Sequence, residues 1–322
     1  MNKEKMKILI TGVSGFVGHH FLQYLYDNKI EASVCGIDIS EPAYNIREYD
    51  GFLSVTYRKI DLLDKESLAS LFEDFVPDYV LHLASFSSVA YSWKHPEESF
   101  VNNTNIFLNL ITAIQTHNIN CRILSVGSSE EYGIIDQDEI PLSEDKEVRP
   151  ISPYAVARVA QEMLSKLFVD SYHVNIIMTR SFNHIGPWQD SRFVVPSFIK
   201  RIKEIKDAGY KRGIIETGDI GIVRDFVDVR DVVHAYYLLL TKGRVGEIYN
   251  VCSGKGIKLE KIVKMIADEI GIYVETKLCE QLVRPNDNPI IVGNNHKITD
   301  ELGWKPNIPL ETTIKNMIDQ GE

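Results

Sequence analysis

The chain has 322 residues, of which 44% are hydrophobic and 25% are charged, and its formal net charge is −10. This composition is ordinary for a globular protein of one large domain or two coupled ones, and the acidic balance argues against nucleic-acid binding. No apolar run is long enough to span a bilayer, and the basic start of the chain lacks the apolar core of a signal peptide. We therefore expect a cytoplasmic protein that binds neither membranes nor nucleic acids.

The first half of the chain alternates between strand and helix patterns. We expect helices after Gly15, at 65–75 and 99–116, and from Pro153 onward, and strands at 7–11, 32–38, 55–60, 79–84, 121–127 and 175–180. Near-continuous Ile, Leu and Val in these strands indicates burial on both faces, which predicts the α/β class. The expected architecture is a Rossmann-type doubly wound parallel sheet.

The segment Thr11-Gly-Val-Ser-Gly-Phe-Val-Gly18 joins the first strand to the first helix. A glycine-rich turn at a helix N-terminus lets the backbone approach a pyrophosphate, whose charge is favoured by the free N–H groups and the helix dipole. Asp38 ends the second strand about twenty residues on, where a carboxylate holds a ribose 2′-hydroxyl and repels a 2′-phosphate. Together they predict a dinucleotide site; the alternative is a tight turn followed by a surface Asp.

Polar residues follow the fifth strand, in Gly127-Ser-Ser-Glu-Glu-Tyr-Gly133. Ligands of an open α/β sheet bind beyond the carboxyl ends of its strands. Hydroxyls there can bond a sugar oxygen, and a carboxylate can act as a general base if burial raises its pKa. The alternative is a polar turn with Ser caps.

The segment Ser152-Pro-Tyr-Ala-Val-Ala-Arg158 begins the next helix, since Ser152 suits the N-cap and Pro153 the first helical position. Tyr154 and Arg158 then share one helix face. A fixed cation beside a phenol favours the phenolate, and such a tyrosine can exchange a proton with a sugar oxygen while hydride moves at the same carbon. The alternative is an ordinary contact on a helix surface.

After about residue 183, Gly and Pro interrupt the pattern more often. We expect helices at 230–240, 259–270 and 310–318, and a strand at 248–251 that could return to the main sheet, so the second half forms a smaller mixed α/β lobe. Its arginines Arg192, Arg224 and Arg284 have forked side chains that suit diphosphates, although arginines of an acidic protein usually pair with surface carboxylates.

The four cysteines are widely separated and form no C-x-x-C pair, which indicates reduced thiols rather than disulfides. The nine histidines show no metal-ligand spacing, so we expect no metal site.

Together these motifs resemble the extended short-chain dehydrogenase/reductase family, in particular its nucleotide-sugar enzymes, over nearly the whole chain. Gly12, Gly15 and Gly18 match the G-x-x-G-x-x-G loop of that family, and Leu302-Gly-Trp-Lys-Pro306 is a typical ending. Gly-Ser-Ser-Glu-Glu-Tyr-Gly and Ser-Phe-Asn-His-Ile-Gly-Pro are most similar to GDP-6-deoxy-4-keto-mannose reductases, with GDP-mannose 4,6-dehydratases close behind.

The resemblance implies a site for a nicotinamide dinucleotide. The residues that it assigns to the cofactor are Gly12, Gly15, Phe16, Val17, Gly18, Asp38, Ile39, Asp61, Leu62, Leu83, Ala84, Ser85, Asn103, Val126, Tyr154 and Arg158. The GDP-mannose branch usually has basic residues after the second strand, which read a 2′-phosphate. Because Asp38 and Ile39 stand there instead, we predict NAD(H) rather than NADP.

The resemblance also implies catalytic roles for Ser128, Glu130, Tyr154 and Arg158. The residues that it assigns to the substrate are Ser87, Ser129, Asn183, Arg192, Val194, Lys200, Arg224, Arg284 and Asp287. The family has a lysine where this chain has Arg158, which keeps the charge and can donate to ribose hydroxyls but is larger and planar. Ile106 and Phe107 replace a Gly-Thr pair expected after Asn103.

From this resemblance we predict an NAD(H)-dependent oxidoreductase acting at C4 of a GDP-linked hexose, specifically a GDP-4-keto-6-deoxy-sugar reductase. One alternative is a GDP-sugar 4,6-dehydratase or epimerase with internally recycled NAD, in which the dehydratase uses Glu130 to remove the C5 proton. A catalytically weak NAD-binding module is another, because of Arg158.

The change of pattern near residue 183 divides the chain into two parts, and the resemblance implies what each part binds and how the chain assembles. The NAD-binding Rossmann domain covers 1–182, with part of 220–255 returning to it, and 183–322 is mainly the nucleotide-sugar-binding lobe. A homodimer or homotetramer is expected through helices 99–116 and 153–172.

Overall fold

The computed structural model describes residues 5–49, 51–283 and 288–320. In chain order its strands are β1 (Met6–Thr11), β2 (Ala32–Asp38), β3 (Leu53–Lys59), β4 (Tyr79–His82), β5 (Arg122–Ser128), β6 (Asn175–Ser181), β7 (Asn183–Ile185), β8 (Arg212–Thr217), β9 (Val223–Asp228), β10 (Ile248–Val251), β11 (Gly256–Lys258), β12 (Tyr273–Leu278) and β13 (Ile290–Ile291). Its helices are α1 (Phe16–Asp27), α2 (Lys65–Asp74), α3 (Val89–Lys94), α4 (Pro96–Thr116), α5 (Pro153–Tyr172), α6 (Val194–Asp207), α7 (Val229–Lys242), α8 (Leu259–Ile270), α9 (His296–Leu302) and α10 (Leu310–Gln320). Within these ranges no helix is both long and apolar enough to cross a membrane.

A parallel sheet of seven strands lies at the centre, in the order β10-β6-β5-β4-β1-β2-β3. Alternate residues of a strand point to opposite faces. Ile8 and Ile10 of β1 pack with α1 and α7, whereas Leu9 packs with α2 and α4. Helices therefore cover both faces, and the predicted doubly wound α/β fold is confirmed.

Helix α5 begins at a cap that the sequence encodes locally. Ser152 Oγ accepts a hydrogen bond from Ala155 N at 3.1 Å, and Pro153 occupies the first helical position, where its missing N–H costs nothing. The helix then packs against β5 and β6. This packing places the first turns of α5 near the carboxyl end of β5.

Strand β10 and helix α7 come late in the chain but belong to the central sheet and its core. β10 pairs in parallel with β6, and Val232, Tyr236 and Leu239 of α7 lie in the same core as α1. The fully buried Trp304 joins this core, and its Nε1 donates to Asp231 O at 2.9 Å. The second half of the chain is thus anchored to the sheet in two places.

The rest of the second half surrounds a third core, in which Ile199 of α6, Ile262 of α8 and Ile314 of α10 are buried. β9 pairs with β7, β11 and β13, and β8 pairs with β12. The sequence did not predict β7, β8, β9, β11, β12 or β13. Strands of two or three residues, as in β7, β11 and β13, are too short to show an alternating pattern.

Candidate active site

The loop between β1 and α1 depends on its glycines. Gly12 has a φ of +73°, and a Cβ there would lie 2.7 Å from a backbone nitrogen of the segment after β4. A Cβ on Gly18 would lie 2.3 Å from a backbone oxygen of the loop. Gly15 gives α1 no side-chain cap, so the first turn, which begins with Phe16 and Val17, keeps N–H groups for another acceptor. This open helix N-terminus fits a pyrophosphate.

The carboxylate of Asp38 lies beside this loop at the end of β2. Its Oδ2 accepts from Ser14 N at 3.1 Å, and its Oδ1 accepts from Ser40 N at 3.2 Å. Ser14 Oγ donates to Ser40 O at 2.5 Å, which joins the loop to the segment after β2. The next residue, Ile39, is exposed. A negative charge is therefore held next to the glycine loop.

The segment after β4 is tied to β1. Thr11 Oγ1 shares a hydrogen bond of 2.8 Å with His82 Nδ1 and accepts from Ala84 N at 3.2 Å. Leu83 N donates to Thr11 O at 3.1 Å. Burial lowers the pKa of His82 to about 3, and the charge of Arg158 acts in the same direction, so the imidazole is neutral at physiological pH. These bonds hold Leu83 and Ala84 at the carboxyl edge of the sheet.

Asn103 is buried and holds the same segment further along. Its Oδ1 accepts from Phe86 N at 2.8 Å, and its Nδ2 donates to Phe86 O at 3.2 Å. Ser87, predicted to bind the substrate, is exposed next to this contact. Asn103 therefore shapes the segment that follows β4 through the main chain.

Asp61 and Leu62, predicted to bind the cofactor, lie in the loop after β3. Asp61 is exposed, and its Oδ1 accepts from Leu63 N at 2.8 Å. Leu62 is buried, and its carbonyl oxygen accepts from Asn109 Nδ2 at 3.0 Å. Since β3 is the neighbour of β2, a second carboxylate stands at the same edge as Asp38.

Ser128 ends β5 and caps the 3₁₀ turn Ser129–Tyr132. Its Oγ accepts from Glu130 N at 3.2 Å, and its own N donates to Glu131 Oε1 at 2.6 Å. Ser128 and Ser129 are buried, whereas Glu130 is partly exposed. Because Oγ of Ser128 is an acceptor in the cap, its hydroxyl proton can be donated to a ligand.

Tyr154 and Arg158 lie in the first two turns of α5, and both are buried. The guanidinium carbon of Arg158 is 5.2 Å from the centroid of the Tyr154 ring. Nη1 of Arg158 donates to Val126 O at 3.2 Å, and Nη2 donates to Ser85 Oγ. The structure thus brings four of the predicted residues together at the carboxyl ends of β4 and β5.

Nε of Arg158 is buried and has no hydrogen-bond partner among the described residues. A buried N–H without an acceptor is costly, and a ligand that offers one removes the cost. A dinucleotide carries pyrophosphate oxygens for the glycine loop and ribose hydroxyls for such a donor. The residues present therefore fit a nicotinamide dinucleotide.

A buried ionic cluster lies behind the 3₁₀ turn, and the sequence did not predict it. Arg180 Nε and Nη2 donate to the two carboxylate oxygens of Glu162 at 2.9 and 3.0 Å, and Lys166 Nζ is 2.9 Å from Glu162 Oε1. Burial and the charge of Glu162 raise the pKa of Glu131 to about 8. A Cβ on Gly127 would lie 2.4 Å from Glu131 Oε1, so only glycine leaves room for this carboxyl.

Two of the predicted substrate residues lie on paired strands of the second lobe. Asn183 begins β7, which pairs with β9, and its Nδ2 donates to Asp225 O at 3.3 Å. Arg224 on β9 is 8% exposed, and its Nη1 donates to Val223 O at 2.9 Å. An amide and a guanidinium therefore stand on neighbouring strands.

The other predicted substrate residues are more peripheral. Arg192 has a side chain that is 80% exposed, and its Nε is 3.0 Å from Asp190 Oδ1. This is a surface ion pair, which was the alternative to diphosphate binding for the arginines of this acidic protein. Val194 begins α6, and Lys200 lies on the exposed side of this helix. The predictions for Arg284 and Asp287 concern positions outside the described residues.

Asp225 is a buried residue of β9 that the sequence analysis missed. Its Oδ1 accepts from Ser253 N at 2.8 Å and from Ser253 Oγ at 2.6 Å, and its Oδ2 accepts from Gly254 N at 2.9 Å and Gly293 N at 3.2 Å. Burial raises the pKa of Asp225 to about 6, against the effect of these donors. The carboxylate joins β9 to the segments after β10 and β13, and so holds the strand that carries Arg224.

The four cysteines are free thiols. In the part of the chain that the structure describes, no group of three or more His, Cys, Asp or Glu side chains could hold a metal ion.

A doubly wound sheet with a glycine loop after β1, and with Ser128, Tyr154 and a basic residue near the end of β5, defines an extended short-chain dehydrogenase/reductase. The family model described as GDP-mannose 4,6 dehydratase matches residues 9–317. The chain belongs to this family.

Individual relatives match along the whole chain. GDP-6-deoxy-D-mannose reductase of Pseudomonas aeruginosa is 30% identical over 316 residues, which cover 98% of this chain and 97% of that protein. The dTDP-glucose 4,6-dehydratase of Haemophilus influenzae is 28% identical over 334 residues, which cover 97% of this chain and 97% of that protein. The structure of RMD from Pseudomonas aeruginosa complexed with NADPH has a TM-score of 0.83 at 28% identity, covering 99% of this chain and 98% of that chain. The protein is thus a nicotinamide-dependent nucleotide-sugar enzyme.

Proposed function

We propose that this protein is an NAD(H)-dependent reductase of a GDP-linked 4-keto-6-deoxyhexose. The observation that carries the proposal is the buried Tyr154 ring with a guanidinium 5.2 Å from its centroid, at the edge of the sheet where Ser128 ends β5. The similarity to GDP-6-deoxy-D-mannose reductase over 98% of the chain supports the reaction and the guanosine-diphosphate sugar.

Each side chain of this group has a distinct role at the C4 oxygen. The bound nicotinamide supplies the hydride that C4 receives. Ser128 donates its hydroxyl proton in a hydrogen bond to the C4 oxygen, because its Oγ is already an acceptor for Glu130 N. Tyr154 transfers the proton that turns this oxygen into a hydroxyl. The charge of Arg158 offsets the negative charge left on the phenol until water returns a proton.

Asp38 supports NAD(H) over NADP(H). Its carboxylate accepts from Ser14 N of the glycine loop, and a fixed negative charge at the end of β2 repels a 2′-phosphate. The related RMD structure contains NADPH, so this preference would separate the two proteins.

We assign residues 1–182, with part of 220–255, to the cofactor and 183–322 mainly to the nucleotide sugar. Arg224 supports this assignment, because a buried guanidinium on β9 suits a diphosphate. Asn183 on the paired strand β7 provides an amide beside it.

A GDP-sugar 4,6-dehydratase is the second candidate. Glu130 lies two positions after the Ser128 cap, where a dehydratase needs a base for the C5 proton, although the resemblance places a Glu here in the reductases as well. The similarity to dTDP-glucose 4,6-dehydratase supports the same reaction type. In a dehydratase, as in a 4-epimerase, the hydride returns to the sugar, so no cofactor is consumed.

Two mixtures separate these candidates. Purified protein with GDP-4-keto-6-deoxymannose and NADH is expected to oxidise NADH and reduce the sugar in equal amounts. Protein with GDP-mannose and a trace of NAD⁺ is expected to form no 4-keto sugar. In the second mixture, a 4-keto product without net reduction of NAD⁺ would establish the dehydratase. NADH binding without turnover in either mixture would establish a binding module. Tyr154→Phe is the control, because it keeps the ring beside Arg158 and removes the proton donor.

We also propose a homodimer or homotetramer formed through α4 and α5, which pack side by side. Both helices expose large apolar side chains, as subunit interfaces do. These side chains are Phe100, Val101 and Leu108 on α4 and Val156, Met163 and Leu167 on α5.

A further inference from the structure

A second residue of α5, Gln161, contacts the guanidinium of Arg158. Gln161 is 1% exposed, and its Oε1 accepts from Arg158 Nη1 at 2.6 Å. Its Nε2 donates to Ser125 Oγ at 2.8 Å and to Val126 O at 3.3 Å. Because Val126 O can only accept, Nε2 must face the strand and Oε1 must face the guanidinium, so the orientation of the amide is determined by its partners.

The same network continues along α5. Ser165 Oγ donates to Gln161 O at 2.8 Å and lies 3.2 Å from Ser125 Oγ, and all three residues are buried. A buried polar chain whose members are all paired is rigid, since any rotation leaves a donor or acceptor unpaired. Gln161 is therefore held in one conformation between α5 and β5.

The network uses only part of the guanidinium of Arg158. Nη1 donates to Val126 O and Gln161 Oε1, and Nη2 donates to Ser85 Oγ, whereas Nε has no partner within the described ranges. A planar guanidinium held at both terminal nitrogens has a fixed plane, which fixes the direction of Nε–H as well. A lysine ammonium has rotatable donors and needs no such support. Arg158 needs it because of its planar shape.

We infer that Gln161 is a positioning residue that acts through Arg158: it holds the guanidinium beside Tyr154 and leaves Nε–H for the bound nicotinamide cofactor. The inference rests on the proposed function only in that a nicotinamide cofactor binds at this site, and it applies to a reductase and a dehydratase alike. It follows that Arg158, which replaces the lysine of the family, and Gln161, three positions later, depend on each other and act as one unit.

A double-mutant cycle tests this unit. The proteins are wild type, Gln161→Ala, Arg158→Lys and the double variant, and the readouts are the Kd for NADH from fluorescence and kcat with GDP-4-keto-6-deoxymannose. In the wild-type background we expect Gln161→Ala to raise Kd and lower kcat by about five- to tenfold, within the usual coupling between contacting residues. In the Arg158→Lys background, Gln161→Ala should alter Kd and kcat by less than about twofold each.

Thr313→Val is the matched control for a general loss of stability. Thr313 is fully buried in the second lobe, and its Oγ1 donates to Asp228 Oδ2 at 2.7 Å. This variant is expected to lower Tm and leave the NADH Kd unchanged. An effect of Gln161→Ala that is equal in both backgrounds, or an unchanged Kd in the wild-type background, overturns the inference. If wild type binds NADH but reduces no GDP sugar, the substrate proposal fails while the Kd cycle still decides the role of Gln161.

Discussion

The Glu131 carboxyl accepts a hydrogen bond from Ser128 N at 2.6 Å, so a titratable group in the interior holds the end of β5 that carries the proposed catalytic hydroxyl. Glu131 also interacts with Glu162, which is paired with Arg180. Two adjacent buried carboxyls do not both carry a charge at low cost. The ion pair with Arg180 places the charge on Glu162 and the proton on Glu131.

We expect Glu131→Gln to make the stability of the protein less dependent on pH. The folded state raises the pKa of Glu131 from 4.5 to about 8. The contribution of this group to stability is therefore complete below its ordinary pKa and is lost as the pH rises through about 8. Gln keeps an acceptor for Ser128 N but does not ionise, so Tm should fall less steeply for the variant between about pH 5 and about pH 9.

Glu131→Ala is the comparison for this prediction. It leaves Ser128 N without its acceptor, so the free energy of unfolding should fall by about 1–3 kcal/mol. Equal pH slopes for wild type and Glu131→Gln would contradict the proton assignment.

Tyr154→Phe should lower kcat by about 10²–10⁴-fold, because it removes the proton donor and keeps the ring next to Arg158. Ser128→Ala should lower kcat by about 10²-fold, since one hydrogen bond to the C4 oxygen is lost. Ser128→Ala should bind NADH normally in a fluorescence titration. A Tyr154→Phe enzyme that turns over at a rate close to wild type would exclude Tyr154 as the proton donor.

Asp38→Asn should lower the Kd for NADPH by about tenfold or more, which corresponds to about 1.4 kcal/mol of binding free energy. The Kd for NADH should change little. The variant removes the charge and keeps an oxygen that can accept from Ser14 N. Glu41→Gln removes an exposed charge three positions further on and is the control. If both variants improve NADPH binding equally, the effect comes from net charge and not from Asp38.

Asp225→Ala should lower the free energy of unfolding by about 3 kcal/mol, because it removes the shared acceptor of the segments after β10 and β13 and leaves the buried Gly293 N unpaired. Denaturant unfolding measures this change. Asp219→Ala, at an exposed carboxylate of the same lobe, should change stability by less than about 0.5 kcal/mol. Similar losses in the two variants would show that the four hydrogen bonds of Asp225 do not anchor β9.

Met163→Asp combined with Leu167→Asp should dissociate the oligomer, since a charge is costly in an apolar interface. These side chains are 64% and 51% exposed on α5. Sedimentation velocity measures the mass, and Tyr210→Asp, at a residue of the second lobe that is 66% exposed, is the control. An unchanged mass for the α5 variant would place the interface elsewhere.

The elements that sequence reasoning located well are those with local signals. The predicted bounds 32–38, 248–251 and 259–270 are those of β2, β10 and α8, because apolar periodicity and flanking turn residues lie within a few positions of each other. Residue motifs likewise pointed to the glycine loop, Asp38, Ser128, Tyr154 and Arg158.

The contacts around these residues join positions far apart in the chain. Glu131 meets Glu162 and Arg180 only because β5 pairs with β6 and α5 packs over both. Asp225 meets Gly293 across 68 positions, and no local pattern encodes such a pair. The sequence by itself therefore determined the elements that carry local signals and the class of cofactor, and it suggested the reacting side chains that we propose, since these depend on short-range spacing. Only the tertiary structure decided which buried groups hold those side chains in place, because burial and pairing arise from the packing of distant segments.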